Sequence, residues 1–156
     1  MPLMDAVSKE RIMFLKGHTK HDALIELIGC FRKGDGIISY NEIKDKLFAR
    51  EELMSTGIGL GIGVPHVRLD ALATPLVAVG IQRDGIIDYH SMDNQPVKII
   101  VMILVRTDQY KEYVKLLAET VIVLKHEGRR AKVIDAQTVD EVFDIFTTVI
   151  NPKPIP

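Results

Sequence analysis

Residues 97–105, Val-Lys-Ile-Ile-Val-Met-Ile-Leu-Val, constrain the fold more than any other stretch of the chain. The run is rich in β-branched side chains and apolar at odd and even positions alike. A strand apolar on both faces must be covered on both, so it reads as the central strand of a sheet with helices on either side.

Those helices are written in the flanking sequence. Thr19 with Asp22, Ser39 with Glu42 and Thr138 with Glu141 each place a hydroxyl three residues ahead of an acid, the mark of a capped helix start. Ala23, Leu24, Leu27, Ile28 and Phe31 form one buried face, which Gly34-Asp35-Gly36 brings to a stop. Ile43, Leu47 and Phe48 form a second, running to about Leu53. Val142, Ile145, Phe146 and Val149 form the last. A long helix from Thr107 or Asp108 to about Leu124 buries Tyr113, Leu116, Leu117, Thr120, Val121 and Leu124. Glu127-Gly128 ends it, and a shorter helix spans 129–136. Leu76 to Ile81 suits a buried strand, Asp84-Gly85 a turn, and Ile86-Ile87 the start of a partner strand, with a second turn at Asp93-Asn94. Residues 1–16 form a lead-in with one strand or turn, and the tail 151–156 is frayed. Strands interleave with helices, so the class is α/β, bordering on α+β: a sheet with helices on its faces, in one domain over 1–156 with its core at about 12–150.

The 156 residues suit a single domain, and the net charge of -1 supplies no overall field to recruit nucleic acid or an anionic membrane. Arg129, Arg130 and Lys132 read as a solvated helix face. Cys30 has no partner for an internal disulfide and reads as core packing. Met1 to Lys16 lacks the pattern of a signal peptide, and Ile99 to Val105 is too short to span a bilayer. The expected location is cytoplasmic, without membrane insertion.

Residues 56–66, TGIGLGIGVPH, carry the chemistry. Gly57, Gly59, Gly61 and Gly63 alternate with aliphatic residues, so the segment reads as one irregular strand that Pro65 breaks. It fits neither the dinucleotide fingerprint nor the phosphate loop. Glycine at period two serves either close packing in a crowded sheet or the exposure of N–H groups to an anion. His66 stands at the end of this segment. Imidazole titrates at about 6.5, so its neutral ring nitrogen can attack phosphorus near neutral pH. Arg50 and Arg68 are the nearest candidates to hold the phosphoryl oxygens.

Arg50-Glu51, Ser55-Thr56-Gly57-Ile58-Gly59 and Gly61-Ile62-Gly63-Val64-Pro65-His66 together resemble the signature of the type-2 enzyme IIA domains of the bacterial phosphotransferase system (the fructose/mannitol class, including nitrogen-regulatory IIA proteins). The resemblance implies a mixed sheet flanked by helices. It implies that His66 accepts a phosphoryl group from the phosphocarrier HPr or a paralogue and passes it to a downstream partner, a IIB domain or a regulated target. It implies that Arg50 steadies the phosphohistidine; Thr56, Gly57 and Arg68 are the further candidates for binding. No metal, nucleotide or other cofactor belongs to this chemistry.

Three departures stand out. Tyr113 takes the place of the family's second active-site histidine, Val67 takes the place of the glycine after the active histidine, and no IIB, IIC or HPr-like domain is attached. They point to a free-standing carrier, or alternatively to a regulatory or degenerate IIA that binds a target under the control of phosphorylation. His18 and His21 read as surface or capping residues, and His90 and His126 carry no assigned role.

Overall fold

The structure, a computed structural model, describes residues 1–32 and 39–148. The apolar run becomes β6 (Val97–Arg106), with β5 (Leu76–Ile86) antiparallel on one side and β3 (Ile62–Gly63) and β4 (His66–Leu69) parallel on the other. β1 (Val7–Phe14) runs parallel to β5 at one edge, and β2 (Gly57–Gly59) pairs antiparallel with β3 at the opposite edge. The sheet is therefore mixed, with the order β1-β5-β6-β3-β2 and β4 also on β6.

Side chains of β6 alternate between two cores. Ile99, Val101, Ile103 and Val105 meet α1 (Leu3–Ala6), α4 (Tyr110–Leu124), α5 (Glu127–Asp135) and α6 (Val139–Thr148) on one face. Ile100, Met102 and Leu104 meet α2 (Lys20–Ile28) and α3 (Tyr40–Leu53) on the other. Alternation places successive residues on opposite faces, so continuous apolarity fills both layers. No described helix is long and apolar enough to cross a membrane.

All three predicted caps form. Thr19, Ser39 and Thr138 accept from the backbone N–H groups of Asp22, Glu42 and Glu141 at 3.1, 3.3 and 3.2 Å. α3 ends at Leu53 as its periodicity requires. The proposed stop at Gly34-Asp35-Gly36, the packing of Val149 and the tail 151–156 lie outside the described residues.

Other details differ for identifiable reasons. α4 starts at Tyr110 with Gln109 as an N-cap that makes no side-chain bond. Thr107 and Asp108 do not cap it: the hydroxyl of Thr107 is turned to Asp70, to which it donates, and the carboxylate of Asp108 is turned to Arg106. Within α4, Val123 is buried and Val121 lies outward. Asp84-Gly85 is an irregularity inside β5 rather than a turn between two strands. Glu127-Gly128 opens α5, and His126 Nδ1 caps it by accepting from Arg129 N–H. Arg129 and Arg130 donate to the carbonyls of residues 122–125, so these cations close the C-terminal end of α4 instead of forming a free basic face.

Candidate functional site

The segment 56–66 folds as a hairpin followed by a strand, not as one irregular strand. Leu60 at φ 59° lies between two glycines of positive φ and reverses the chain from β2 into β3. β3 and β4 then follow β6 in one continuous register, Ile62 to Ile99, Gly63 to Ile100, His66 to Ile103. Pro65 interrupts the line because it has no N–H to give, while its carbonyl still accepts from Ile103 N–H at 3.0 Å. His66 therefore opens β4.

The glycines answer a packing demand. A Cβ at Gly57 would lie 2.2 Å from the carbonyl oxygen of His90, and one at Gly63 would lie 2.8 Å from the Tyr89 ring. Of the two uses open to such a pattern, close backbone approach is the one seen at these positions.

His66 is half-buried, and its ring stacks on Tyr113 with centroids 4.2 Å apart at 29°. Its Nδ1 is buried without a hydrogen-bond partner of normal geometry. Burial lowers its pKa from 6.5, and the positive charge of Arg50, then that of Arg68, push the same way; the Val64 carbonyl and Glu51 oppose them. The ring is thus held neutral at pH values where a free histidine is partly charged. Burial raises the pKa of Tyr113, so its phenol stays neutral too.

Two clefts meet at this ring, with Arg50 and His66 in the walls of both. One, of about 420 Å³, adds Lys46, Arg68, Asp70 and Thr107 and is cationic. The other, of about 370 Å³, adds Met54, Ile58, Val64, Met92, Tyr113 and Leu117 and is apolar. Arg50, in the last turn of α3, donates to the Met54 carbonyl at 3.0 Å. Arg68 shares the outer face of β4 with His66 and lies over the Tyr110 ring, 5.9 Å from its centroid.

The structure thus brings His66, Arg50, Tyr113 and Arg68 together. Thr56 and Gly57 line the apolar cleft, but their donors are engaged locally, that of Gly57 with Ser55 Oγ at 3.5 Å. The N–H of Thr56 donates to Glu51 Oε2 at 3.2 Å, its hydroxyl bonds to Glu51 Oε1, and the Tyr89 hydroxyl is 2.6 Å away. Gly57 is pressed against the 90–92 segment, where its carbonyl accepts from Met92 N–H.

Sequence reasoning gave no role to Lys20, Glu51 or Tyr89. Lys20 Nζ lies 2.7 Å from Glu51 Oε2 and sits over the Tyr89 ring at 4.5 Å. A signal was present: Glu51 continues the buried 43, 47, 51 stripe of α3, where a carboxylate needs partners. Elsewhere, His18 pairs with Asp84, and His21 stacks on Phe48.

The sequence profile of the phosphoenolpyruvate-dependent sugar phosphotransferase system EIIA 2 family matches residues 6–149. The chain is 36% identical over 107 residues to a fructose-specific EIIA component of Haloferax volcanii, covering 69% of each chain. It is 33% identical over 109 residues to a nitrogen regulatory protein of Pseudomonas aeruginosa, covering 70% of each. In fold it is similar to the crystal structure of nitrogen regulatory protein IIA-Ntr from Neisseria meningitidis, with a TM-score of 0.85 at 23% identity, over 93% of this chain and 99% of that one.

Proposed function

This chain belongs to the phosphotransferase system EIIA 2 family, and from that premise we propose that it is a phosphoryl carrier whose acceptor is His66. The donor is a phosphorylated HPr-like protein. The recipient is a IIB domain or a regulated target, and the site of action is the cytoplasm. Residues 1–156 act as one domain.

The observation that carries this reading is a half-buried imidazole with Nδ1 facing inward and Arg50 on the wall of both adjoining clefts. A neutral ring protonated at Nδ1, beside the Val64 carbonyl, presents the Nε2 lone pair outward. Nε2 forms the bond to phosphorus while the bond to the donor breaks and its electron pair returns to the donor. Phosphoryl transfer passes through a loose transition state with charge on the equatorial oxygens, so cations fixed in advance do most of the catalytic work. Arg50 and Arg68 are the groups for that task. The apolar cleft, with Met54 and Met92 on its rim, receives the carrier proteins that approach His66.

The test is label uptake from phosphorylated HPr by the wild type and by His66→Ala. Uptake confined to the wild type is expected; equal uptake by both removes His66 from the role.

Tyr113 favours a second reading. A neutral phenol stacked on the acceptor cannot supply the positive charge of a protonated histidine, which suits slow turnover and a phosphorylation state that is read by a target. The similarity to a nitrogen regulatory protein supports this reading. Capture of a target from lysate that depends on the phosphorylation of His66 is the expected result, and capture indifferent to it counts against a switch.

A further inference from the structure

A carboxylate buried beneath a phosphoryl-transfer site calls for explanation, since ionised groups are costly to desolvate unless every oxygen is satisfied. The Glu51 side chain is only 3% exposed, and three donors hold it: Lys20 Nζ, Thr56 N–H and the Thr56 hydroxyl. None of these contacts faces either cleft as a free group. They converge on the turn that joins α3 to β2.

That turn is clamped on both sides. Met54 N–H donates to the Arg50 carbonyl, and the Arg50 guanidinium donates to the Met54 carbonyl. Two residues on, Thr56 is pinned to Glu51, and the Thr56 carbonyl accepts from Val64 N–H at 3.0 Å. Val64 stands two residues before His66. A single carboxylate thus fixes the segment that orients the Arg50 side chain and the strand that delivers the imidazole. Lys20 brings α2 into the same cluster and also reaches Ser55 Oγ at 3.4 Å, while the Ser55 hydroxyl donates to the His90 carbonyl at 2.6 Å.

We propose that Glu51, acting through Thr56 with Lys20 as its counter-charge, is a positioning residue that sets Arg50 and His66 in register with each other. The proposal rests on the phosphoryl-carrier reading for its kinetic consequence but not for its structural one. Glu51 touches no reacting atom. It works because a displacement of about 1 Å between a cation and a transferring group can cost up to about 100-fold in rate.

The test compares Glu51→Gln, Glu51→Asp and Thr56→Val with the wild type by thermal melting, by kcat and KM for phosphorylated HPr, and by NMR of Arg50 Nε–Hε and of the His66 ring. Expected are a cooperative melt, an unchanged KM and a loss of about tenfold in kcat for Glu51→Gln, with the Arg50 resonance displaced. Glu51→Asp keeps the charge but is one methylene too short for Thr56, so it behaves like Glu51→Gln. Thr56→Val keeps all charges and still displaces Arg50. Wild-type kinetics in the folded Glu51→Gln and Thr56→Val proteins, whatever their melting points, would overturn the proposal. Full rescue by Glu51→Asp would overturn it as well. If the wild type takes no label, the carrier reading fails by itself, and an undisplaced Arg50 resonance in the variants then decides against positioning.

Discussion

The two clefts that share His66 are walled by different chemistry. On the α3/β4 side stand Lys46, Arg68, Asp70 and Thr107; on the hairpin side stand Met54, Ile58, Val64, Met92 and Leu117. In the carrier reading the cationic side meets charge that develops during transfer, and the apolar side meets the surface that brings it. A group that acts on the transition state changes kcat, and one that acts on docking changes KM. The difference between the clefts therefore predicts how substitutions divide.

The largest effect belongs to the hairpin that builds the apolar side. Gly57→Ala forces a methyl group onto the His90 carbonyl and is expected to cost about 3 kcal/mol of stability, read as a lowered urea midpoint. An unchanged midpoint means that the hairpin yields easily and does not fix the cleft. Next comes the shared wall. Arg50→Ala should slow phosphoryl uptake by about tenfold or more, the loss of one charge-assisted contact. A rise in KM alone would move Arg50 from the chemistry to docking.

The sharpest contrast sets Met54→Ser with Met92→Ser against Arg68→Ala. Met54 and Met92 are 69% and 81% exposed in this structure, and their replacement should raise KM several-fold, or about 1 kcal/mol, and leave kcat near the wild type. Arg68→Ala should lower kcat about threefold and leave KM alone, since its guanidinium rests on Tyr110 and is exposed. Measured steady-state constants showing the reverse split would erase the distinction between the clefts.

The smallest effect is in pH. His66 is held below 6.5 by burial first and Arg50 second, so uptake should follow one ionisation with its midpoint below 6.5 and a plateau above it. Arg50→Ala removes a positive charge and should move that midpoint upward. The same depressed pKa makes stability fall as the pH drops below 6.5 toward the folded-state value, because the unfolded chain binds the proton first. A urea-melt series flat across that interval for the wild type would contradict it.

Much of this architecture was legible in the sequence because its signals are local. The hydroxyl-to-acid spacing at Thr19, Ser39 and Thr138 concerns atoms three residues apart, and the doubly apolar β6 specifies cover on both faces wherever the helices come from. The motif from Arg50 to His66 likewise drew attention to two side chains that the fold places in the walls of the same two clefts. Tertiary structure decided the rest. Only the meeting of β2 with the 90–92 segment explains Gly57, and only Tyr89 explains Gly63. Thr107 and Asp108 turn to Asp70 and Arg106 instead of capping α4, and Thr56, still in the cleft wall, gives its N–H and hydroxyl to Glu51. A hydrogen-bonding group is recruited by whichever partner reaches it when the chain is folded, and partners far apart in sequence leave no periodic trace along it.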